Sequence, residues 1–391
     1  MILRARWVVD RSLCLHEHAW VDTATNRVGQ RTPGRKPVVD LGDSILMPGL
    51  VNAHCHLDYT DFRGRIPAQK SFVDWILRIV RLKKSWTRRQ FTRSIQHGLD
   101  EALGFGTTAM ANWICSPGTM KGLRPRPMRI TWLWEQIAYR GEDVFDAWKV
   151  WPAHCARFSP LWLAGIAPHA PYTCSRDIIR QAEEWSARRR RPWSMHVAES
   201  RDEDAMFRRE CGPMFRLFEQ GGRDMRDCGN SSPFQFLQSQ PLHRTAPLLL
   251  VHANHIGPGD FRFLKPPVSI VHCPRAHAYF RHRRFPLEQL RARGVNICLG
   301  TDSLASNEDL SMFGEMRRCA SVYPRMAPRE IVRMATLNGA RALGMGSGWR
   351  SWRDWVAISC RGRRDAWNQI TSFTGRPHFV MVNGEVVPCP K

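Results

Sequence analysis

Apolar, strand-like runs in this chain stop again and again at side chains that bind metals or carry protons. Four stretches share the pattern: His54-Cys55-His56, His196-Val197-Ala198-Glu199, His252 and Gly300-Thr301-Asp302. A fold that gathers these strand ends on one face assembles a single divalent metal site with an acid/base carboxylate beside it. That requirement constrains the architecture more than any other feature of the chain. Near-continuous runs such as Leu248-Leu249-Leu250-Val251 suit strands buried on both faces, as in parallel sheets covered by helices.

The rest of the pattern fits such a sheet. Candidate strands are 45–51, 107–113, 129–135, 162–167, 193–197, 248–251, 268–271 and 296–300. Helical periodicity falls between them, at 71–85, 88–103, 176–187, 202–220, 287–293 and 309–321. In the first of these, Phe72, Trp75, Ile76, Ile79 and Val80 mark one face. Ser175 is placed to cap the third helix and Gly294 to end the fifth. Strands alternating with helices predict an α/β fold, a (β/α)8 TIM barrel, whose usual size is ~250 residues. The stretch 219–247, with Gly221-Gly222 and Ser231-Ser232-Pro233, reads as an irregular insertion. Both ends carry short strand-like pieces, and Asn383-Gly384 between two of them is a strong hairpin signal. The expected division is therefore 1–44 and 345–391 as the two parts of a small β-sandwich domain formed by both termini, and 45–344 as the barrel.

Composition narrows the classes. No apolar run approaches the ~20 residues needed to span a membrane. The first residues lack the apolar stretch and cleavage site of a secretory signal, so a cytoplasmic location without membrane contact is expected. The 12 cysteines include no Cys-x-x-Cys, which favours buried reduced thiols over disulfides and removes the zinc site of small cytidine deaminases. The net charge of +23 comes mostly from arginine, since only 8 of the 58 basic residues are lysine. These residues are spread along the chain apart from Arg188–Arg191. A nucleic-acid surface would concentrate them and interleave aromatics, so no nucleic-acid partner is expected. The excess would still favour anionic small molecules at a cleft. A basic nucleic-acid-binding protein with a relict barrel is the alternative of another class, and it predicts lost ligands where none is missing.

Each site residue also has a plainer reading. A lone strand histidine is more often structural, but the pair His54 and His56 closing an apolar strand after Pro48-Gly49 points to ligation. Glu199, three residues after His196, is placed to move protons without ligating, or else simply to begin a helix. His252 is preferred to His255 because it lies nearer the strand end, and Asp302 is either a ligand or a turn residue. Four strand ends with compatible side chains outweigh the separate plain readings.

The motifs are Met47–Leu57, Pro168-His169-Ala170-Pro171-Tyr172-Thr173-Cys174-Ser175, Met195–Glu199, Val251–Asn254, His272-Cys273-Pro274, Gly300–Ser303 and Ala335–Ala340. In this order they resemble the amidohydrolase superfamily, in its branch of amino-heterocycle deaminases and triazine hydrolases, aminodeoxyfutalosine deaminases among them. The resemblance implies that His54, His56, His196 and Asp302 bind one divalent metal ion, zinc or iron. It implies that Glu199 shuttles protons and that His252 orients the activated water. Binuclear relatives carry a bridging Lys or Glu after the fourth strand, where this chain reads Ile166-Ala167-Pro168-His169, so one ion is expected. In relatives the residue at His169 touches substrate, and His277 stands where many carry Asn. Glu135 and Arg275, with Asp58, lie near predicted strand ends and are further candidates for substrate binding.

Leu57-Asp58, Ser71–Trp75, Glu135 and Cys273-Pro274-Arg275 most resemble members acting on 6-aminopurine nucleosides. The implied reaction is hydrolytic deamination. A divalent ion brings the pKa of bound water from ~15.7 to roughly 7, the water attacks the amino-bearing ring carbon, and ammonia leaves. Aminodeoxyfutalosine is the first substrate expected, then S-adenosylhomocysteine or methylthioadenosine. A hydrolase of the same fold with another leaving group, such as a guanine deaminase or a chlorotriazine or amide hydrolase, is the alternative. The partner is thus a small-molecule substrate, and relatives suggest, by analogy alone, a homodimer.

Overall fold

The computed structural model describes residues 1–30, 37–67, 69–139, 145–238, 246–345, 348–362 and 365–388. Nine parallel strands make one curled sheet: β1 (Leu50–His56), β2 (Thr107–Ile114), β3 (Arg129–Gln136), β4 (Trp162–Pro168), β5 (Trp193–Val197), β6 (Leu248–His252), β7 (Val268–His272), β8 (Asn296–Leu299) and β9 (Asp302–Ser303). Their order runs from β8 down to β1 and then to β9. Only Gly300-Thr301 separates β8 from β9, so the chain leaves the sheet beside β7 and re-enters it beside β1. All residues of β1, β2, β5, β6 and β7 are buried, as strands covered on both faces must be. Trp148, Trp151, Trp162, Trp185 and Trp193 are fully buried in the cluster formed by the strands and the surrounding helices, and each removes a large apolar area from water.

The architecture is a TIM-like barrel, with looser alternation than the sequence predicts. β2 and β6 are followed by 3-10 turns, Pro117–Met120 and Pro258–Phe263. Both open on Pro-Gly, and glycine in the second position weakens any helix that proline starts. The segment 202–220 is two helices, Arg201–Arg209 and Gly212–Gln220, because Glu210 and Gly212 take left-handed φ of 50° and 96° ahead of Pro213. The periodicity gave no sign of Phe145–Ala156, which holds Pro152 in its interior, where proline argues against a helix. The expected insertion contains a short helix, Pro233–Gln238, and its residues 239–245 lie outside the described residues.

One expected strand divides. Ser44–Pro48 does not belong to the barrel: it pairs with Ile2–Val9 and Trp355–Ser359 in a second sheet, while Leu50–His56 pairs with β2. Gly49 is the hinge, since a Cβ there would stand 2.2 Å from Thr108 Oγ1. The second sheet joins eight strands contributed by both ends of the chain. Its strands form one hydrogen-bonded network, with Val38–Asp40 branching from Ile2–Val9 off the main path. Its last hairpin turns on Asn383 and Gly384, both at positive φ, as a two-residue turn of this kind requires. Among the described residues no cysteine is bridged, and Cys14 and Cys211 are exposed rather than buried.

Candidate metal centre and active-site cavity

The strand ends are built by unusual backbone. His252 and Asp302 have φ of 71° and 60°, and Ala198 and Ala253 have 50° and 51°. Each costs about 1–2 kcal/mol in an L-residue, and such strain collects where function fixes a side chain. Gly300 lets β9 approach β1, since a Cβ would meet the oxygen, Cβ and nitrogen of His54 at 2.8–2.9 Å. Asn52 ties the same junction together, with its amide donating to Thr301 Oγ1 at 2.8 Å and its Oδ1 accepting from Thr301 N at 3.1 Å. Gly300→Ala is therefore expected to cost about 1–3 kcal/mol of stability and to displace His54. Denaturant unfolding and elemental analysis of bound metal check both effects.

The side chains presented there converge. His54 Nε2 lies 3.2 Å from His196 Nε2 and 3.4 Å from Asp302 Oδ1, with His56 Nε2 3.8 Å from the same oxygen. Ligand atoms of His54, His196 and His252, of His54, His56 and Asp302, and of Glu199, His252 and Asp302 each group within 4.8 Å. Ser306 Oγ donates to the other Asp302 oxygen at 3.2 Å. The Nδ1 atoms of His54, His56 and His196 have no hydrogen-bond partner among the described residues, so packing orients the rings. His196 lies 4.1 Å from the Trp113 ring, and His56 stacks on Tyr59 at 5.5 Å.

The charge states suit a cation. Burial, then neighbouring His54, holds His56 down to about 3. Burial also brings His252 to about 3, despite the attraction of Asp302. Imidazoles that stay neutral keep the lone pair a metal needs. Burial works against the Asp302 charge, but its hydrogen bond with His54 and the imidazoles of His252, His54 and His56 hold its carboxyl well below the usual range. Two imidazole nitrogens facing each other beside a buried carboxylate fit a divalent ion, because the nitrogens otherwise compete for one proton.

Glu199 stands beside this cluster, its Oε1 3.5 Å from His252 Nε2. Its backbone N–H and that of Ala198 donate to the two oxygens of Glu203 at 2.8 and 3.0 Å, and Asn254 Nδ2 donates to its carbonyl at 3.0 Å. Burial, then the charges of Asp302 and Glu203, raise its pKa well above the ordinary carboxylate value. A buried carboxyl whose charge is disfavoured in this way is suited to taking up and handing on a proton.

The cluster opens on a cavity of about 450 Å³ lined by His56, His196, Glu199, His252 and Asp302 together with Glu135 and His169. His169 Nδ1 pairs with Thr173 Oγ1 at 2.8 Å and its Nε2 lies 3.9 Å from Glu135. Burial opposes the Glu135 charge, but Lys83, His169 and His56 bring its carboxyl down to about 2. Lys83 Nζ is 3.8 Å from Glu135 and 5.1 Å over the Tyr59 ring, and Cys115 Sγ donates to Glu135 at 2.7 Å. Asp58 is buried behind this wall, accepts from Cys115 N at 3.2 Å and is raised by burial to about 7.

Arg275 and His277 are not brought to this cavity. Arg275 Nε donates to Glu315 at 2.7 Å and its Nη2 to Asp309 at 2.7 Å. It lines a larger cavity, about 780 Å³, that holds none of the clustered histidines. His277 Nδ1 pairs with Asn254 Oδ1 at 3.0 Å and packs against His272. Both sit on the short helix Pro274–Tyr279, and their side chains are engaged there by Glu315 and Asp309 in one case and by Asn254 in the other. Lys83, Tyr59 and Trp113 escaped the sequence reading. The one available signal was Lys83, eleven residues after Phe72 and so on the same helical stripe.

Known proteins resemble this chain over most of its length. The profile of the Amidohydrolase family matches residues 45–348. A 5-methylthioadenosine/S-adenosylhomocysteine deaminase of Syntrophobacter fumaroxidans is 27% identical over 79% of this chain and 69% of its own length. An aminodeoxyfutalosine deaminase of Deinococcus radiodurans is 27% identical over 77% of this chain and 74% of its own. The crystal structure of Helicobacter pylori aminofutalosine deaminase, in complex with methylthio-coformycin, superimposes with a TM-score of 0.84 at 17% identity, over 99% of this chain and 100% of that one.

Proposed function

The chain belongs to the amidohydrolase family, a hydrolase acting on carbon–nitrogen bonds, and from that premise we propose that it deaminates an adenosine-like nucleoside using one divalent metal ion, zinc or iron. His54, His56, His196 and Asp302 would hold the ion, which when bound supplies the Lewis acid that brings water toward ionisation near neutral pH. Glu199 takes the proton of the attacking water and passes it to a ring nitrogen. His252 orients that water through Nε2. Water adds to the amino-bearing ring carbon, the carbon–nitrogen bond to the amino group breaks, and ammonia leaves with a ring carbonyl in its place. Glu135 and His169 bind the rest of the nucleoside. The finer parts of the reading are a (β/α)8 barrel that begins at Leu50 and runs to about residue 344, flanked by terminal segments, a cytoplasmic setting, and a homodimer by analogy.

One observation carries the proposal: a raised, buried Glu199 carboxyl 3.5 Å from His252 in the cavity that holds the ligand cluster. The relatives named above are, by name, deaminases of methylthioadenosine, S-adenosylhomocysteine and aminodeoxyfutalosine, and these names support testing those nucleosides first. Metal-replete protein is expected to release ammonia from at least one aminopurine nucleoside, measured by a coupled ammonia assay. Metal-loaded protein that turns over none of them would overturn the reading. A product other than ammonia would assign the site to a hydrolase with another leaving group.

A further inference from the structure

The residues that follow β5 are held by those that follow β6. Ala253 N donates to the Val197 carbonyl and His255 N to the Ala198 carbonyl, each at 2.9 Å. The next carbonyl in line, that of Glu199, accepts from a side chain instead, Asn254 Nδ2, at 3.0 Å. Asn254 is buried, and Arg283 Nε donates to its own carbonyl at 3.4 Å. With the backbone tied in this way, the torsion of the amide decides whether nitrogen or oxygen faces Glu199.

His277, on another element, sets that torsion. Its Nδ1 lies 3.0 Å from Asn254 Oδ1. An amide oxygen only accepts and an amide nitrogen only donates, so with Nδ2 turned to the Glu199 carbonyl the ring must carry its proton on Nδ1. The hydrogen bonds then run in one sense, from imidazole to amide to backbone carbonyl. The ring is itself held. His277 N donates to the Cys273 carbonyl at 2.8 Å and His282 N to the His277 carbonyl at 3.2 Å. The ring meets His272 edge-on at 5.4 Å, and His272 stacks on Phe285 at 4.0 Å.

Resting on the reading of Glu199 as the group that moves the proton, we propose that His277 is a positioning residue for that transfer and acts through Asn254. Glu203 holds the N–H of Glu199 at 2.8 Å, and Asn254 holds its carbonyl. The peptide planes on both sides of the Glu199 Cα are thereby fixed, and the carboxyl stays 3.5 Å from His252 Nε2. Without the imidazole donor the amide is free to turn over. Its oxygen would then face the Glu199 carbonyl, and two like oxygens repel. A shift of about 1 Å in a reacting group, caused by a change away from the chemistry, can cost ~10²-fold in rate.

Three substitutions test the sense of these bonds, in steady-state kinetics on metal-replete protein with the nucleoside that the parent turns over fastest. His277→Leu removes the donor and is expected to lower kcat by about 10- to 100-fold, with KM and bound metal unchanged, as for an interaction that matters only in the transition state. His277→Asn is expected to restore most of that rate, because its Nδ2 is as many bonds from the backbone as Nδ1 and donates the same way. His277→Asp has the shape of His277→Asn but only acceptors, and is expected to be no faster than His277→Leu. Packing cannot separate the last two variants, so equal rates in them would overturn the proposal. Parent-like kcat in His277→Leu, a rise in KM alone, or loss of metal would overturn it as well. Parent protein that turns over no nucleoside would sink the deaminase reading instead. In that case long-range proton–nitrogen NMR of histidine-labelled protein, with the signal assigned by its loss in His277→Asn, decides the chain of bonds: a proton on Nδ1 supports it and a proton on Nε2 alone refutes it.

Discussion

Glu199→Gln is expected to lower kcat for ammonia release by about 10²–10⁴-fold, the usual worth of a positioned general acid/base, while metal content stays at the level of the parent protein. Glutamine keeps the shape of the side chain, and the backbone that aims it is held independently: Glu203 accepts from the Ala198 and Glu199 N–H groups, and Asn254 donates to the Glu199 carbonyl. What is lost is the ability to take a proton from water and return it to the ring. Burial, then Asp302 and Glu203, raise the pKa of Glu199, which strengthens its carboxylate as an acceptor of the water proton. KM should change little, because the amide still fills the same space beside His252. Parallel measurements of kcat, KM and bound metal separate this role from ligation. Retained turnover would show that another group moves the proton, and loss of metal would make Glu199 a ligand.

The cluster could be read from the sequence because strand ends announce themselves. An apolar run followed by His54-Cys55-His56, His196 or His252 gives both the strand and the face on which its last side chain emerges. The wall of the cavity was harder to read. The stripe from Phe72 to Val80 has the spacing of any core-facing helix, and nothing in that spacing distinguishes a face that meets the core from one that meets a ligand. Lys83 belongs to the same stripe, but its meaning depends on Glu135, Cys115 and Tyr59, which come from other elements. Arg275 shows the opposite failure. Its place just after β7 suggested substrate contact, yet Glu315 and Asp309, some forty residues later in the chain, capture its guanidinium. Proximity to a strand end in sequence gives nearness to the barrel mouth and not the direction of a long side chain.

The division of 45–51 has a similar cause. Apolar content runs through Ser44–Pro48 and Leu50–His56 alike, so composition offers no boundary. The boundary is steric: Gly49 passes Thr108 at a distance no Cβ allows. Pro48-Gly49 is the local signal, and it marks where the chain changes sheets as well as where the ligand-bearing strand begins.

Removing divalent metal with a chelator is expected to abolish ammonia release and to lower thermal stability, and zinc or iron added back is expected to restore both. The cluster holds Asp302 as a carboxylate, kept charged by His54, His252 and His56, beside imidazoles kept neutral by burial. Without a cation, His54 and His196 bring two ring nitrogens within 3.2 Å, and only one proton can lie between them, so a buried negative charge is left with weaker partners. Binding to the folded chain alone stabilises it by about 2.7 kcal/mol at a hundredfold excess over Kd, enough to shift Tm by several degrees. Differential scanning calorimetry with and without added metal reads that shift, and elemental analysis identifies the ion. Asp302→Asn extends the test: it keeps the size of the side chain, removes the carboxylate that lies 3.4 Å from His54 Nε2 and 3.8 Å from His56 Nε2, and is expected to lose both the metal-dependent rise in Tm and turnover. Chelated protein, shown to be metal-free, that still releases ammonia at the full rate would assign the cluster to structure and move catalysis elsewhere in the cavity.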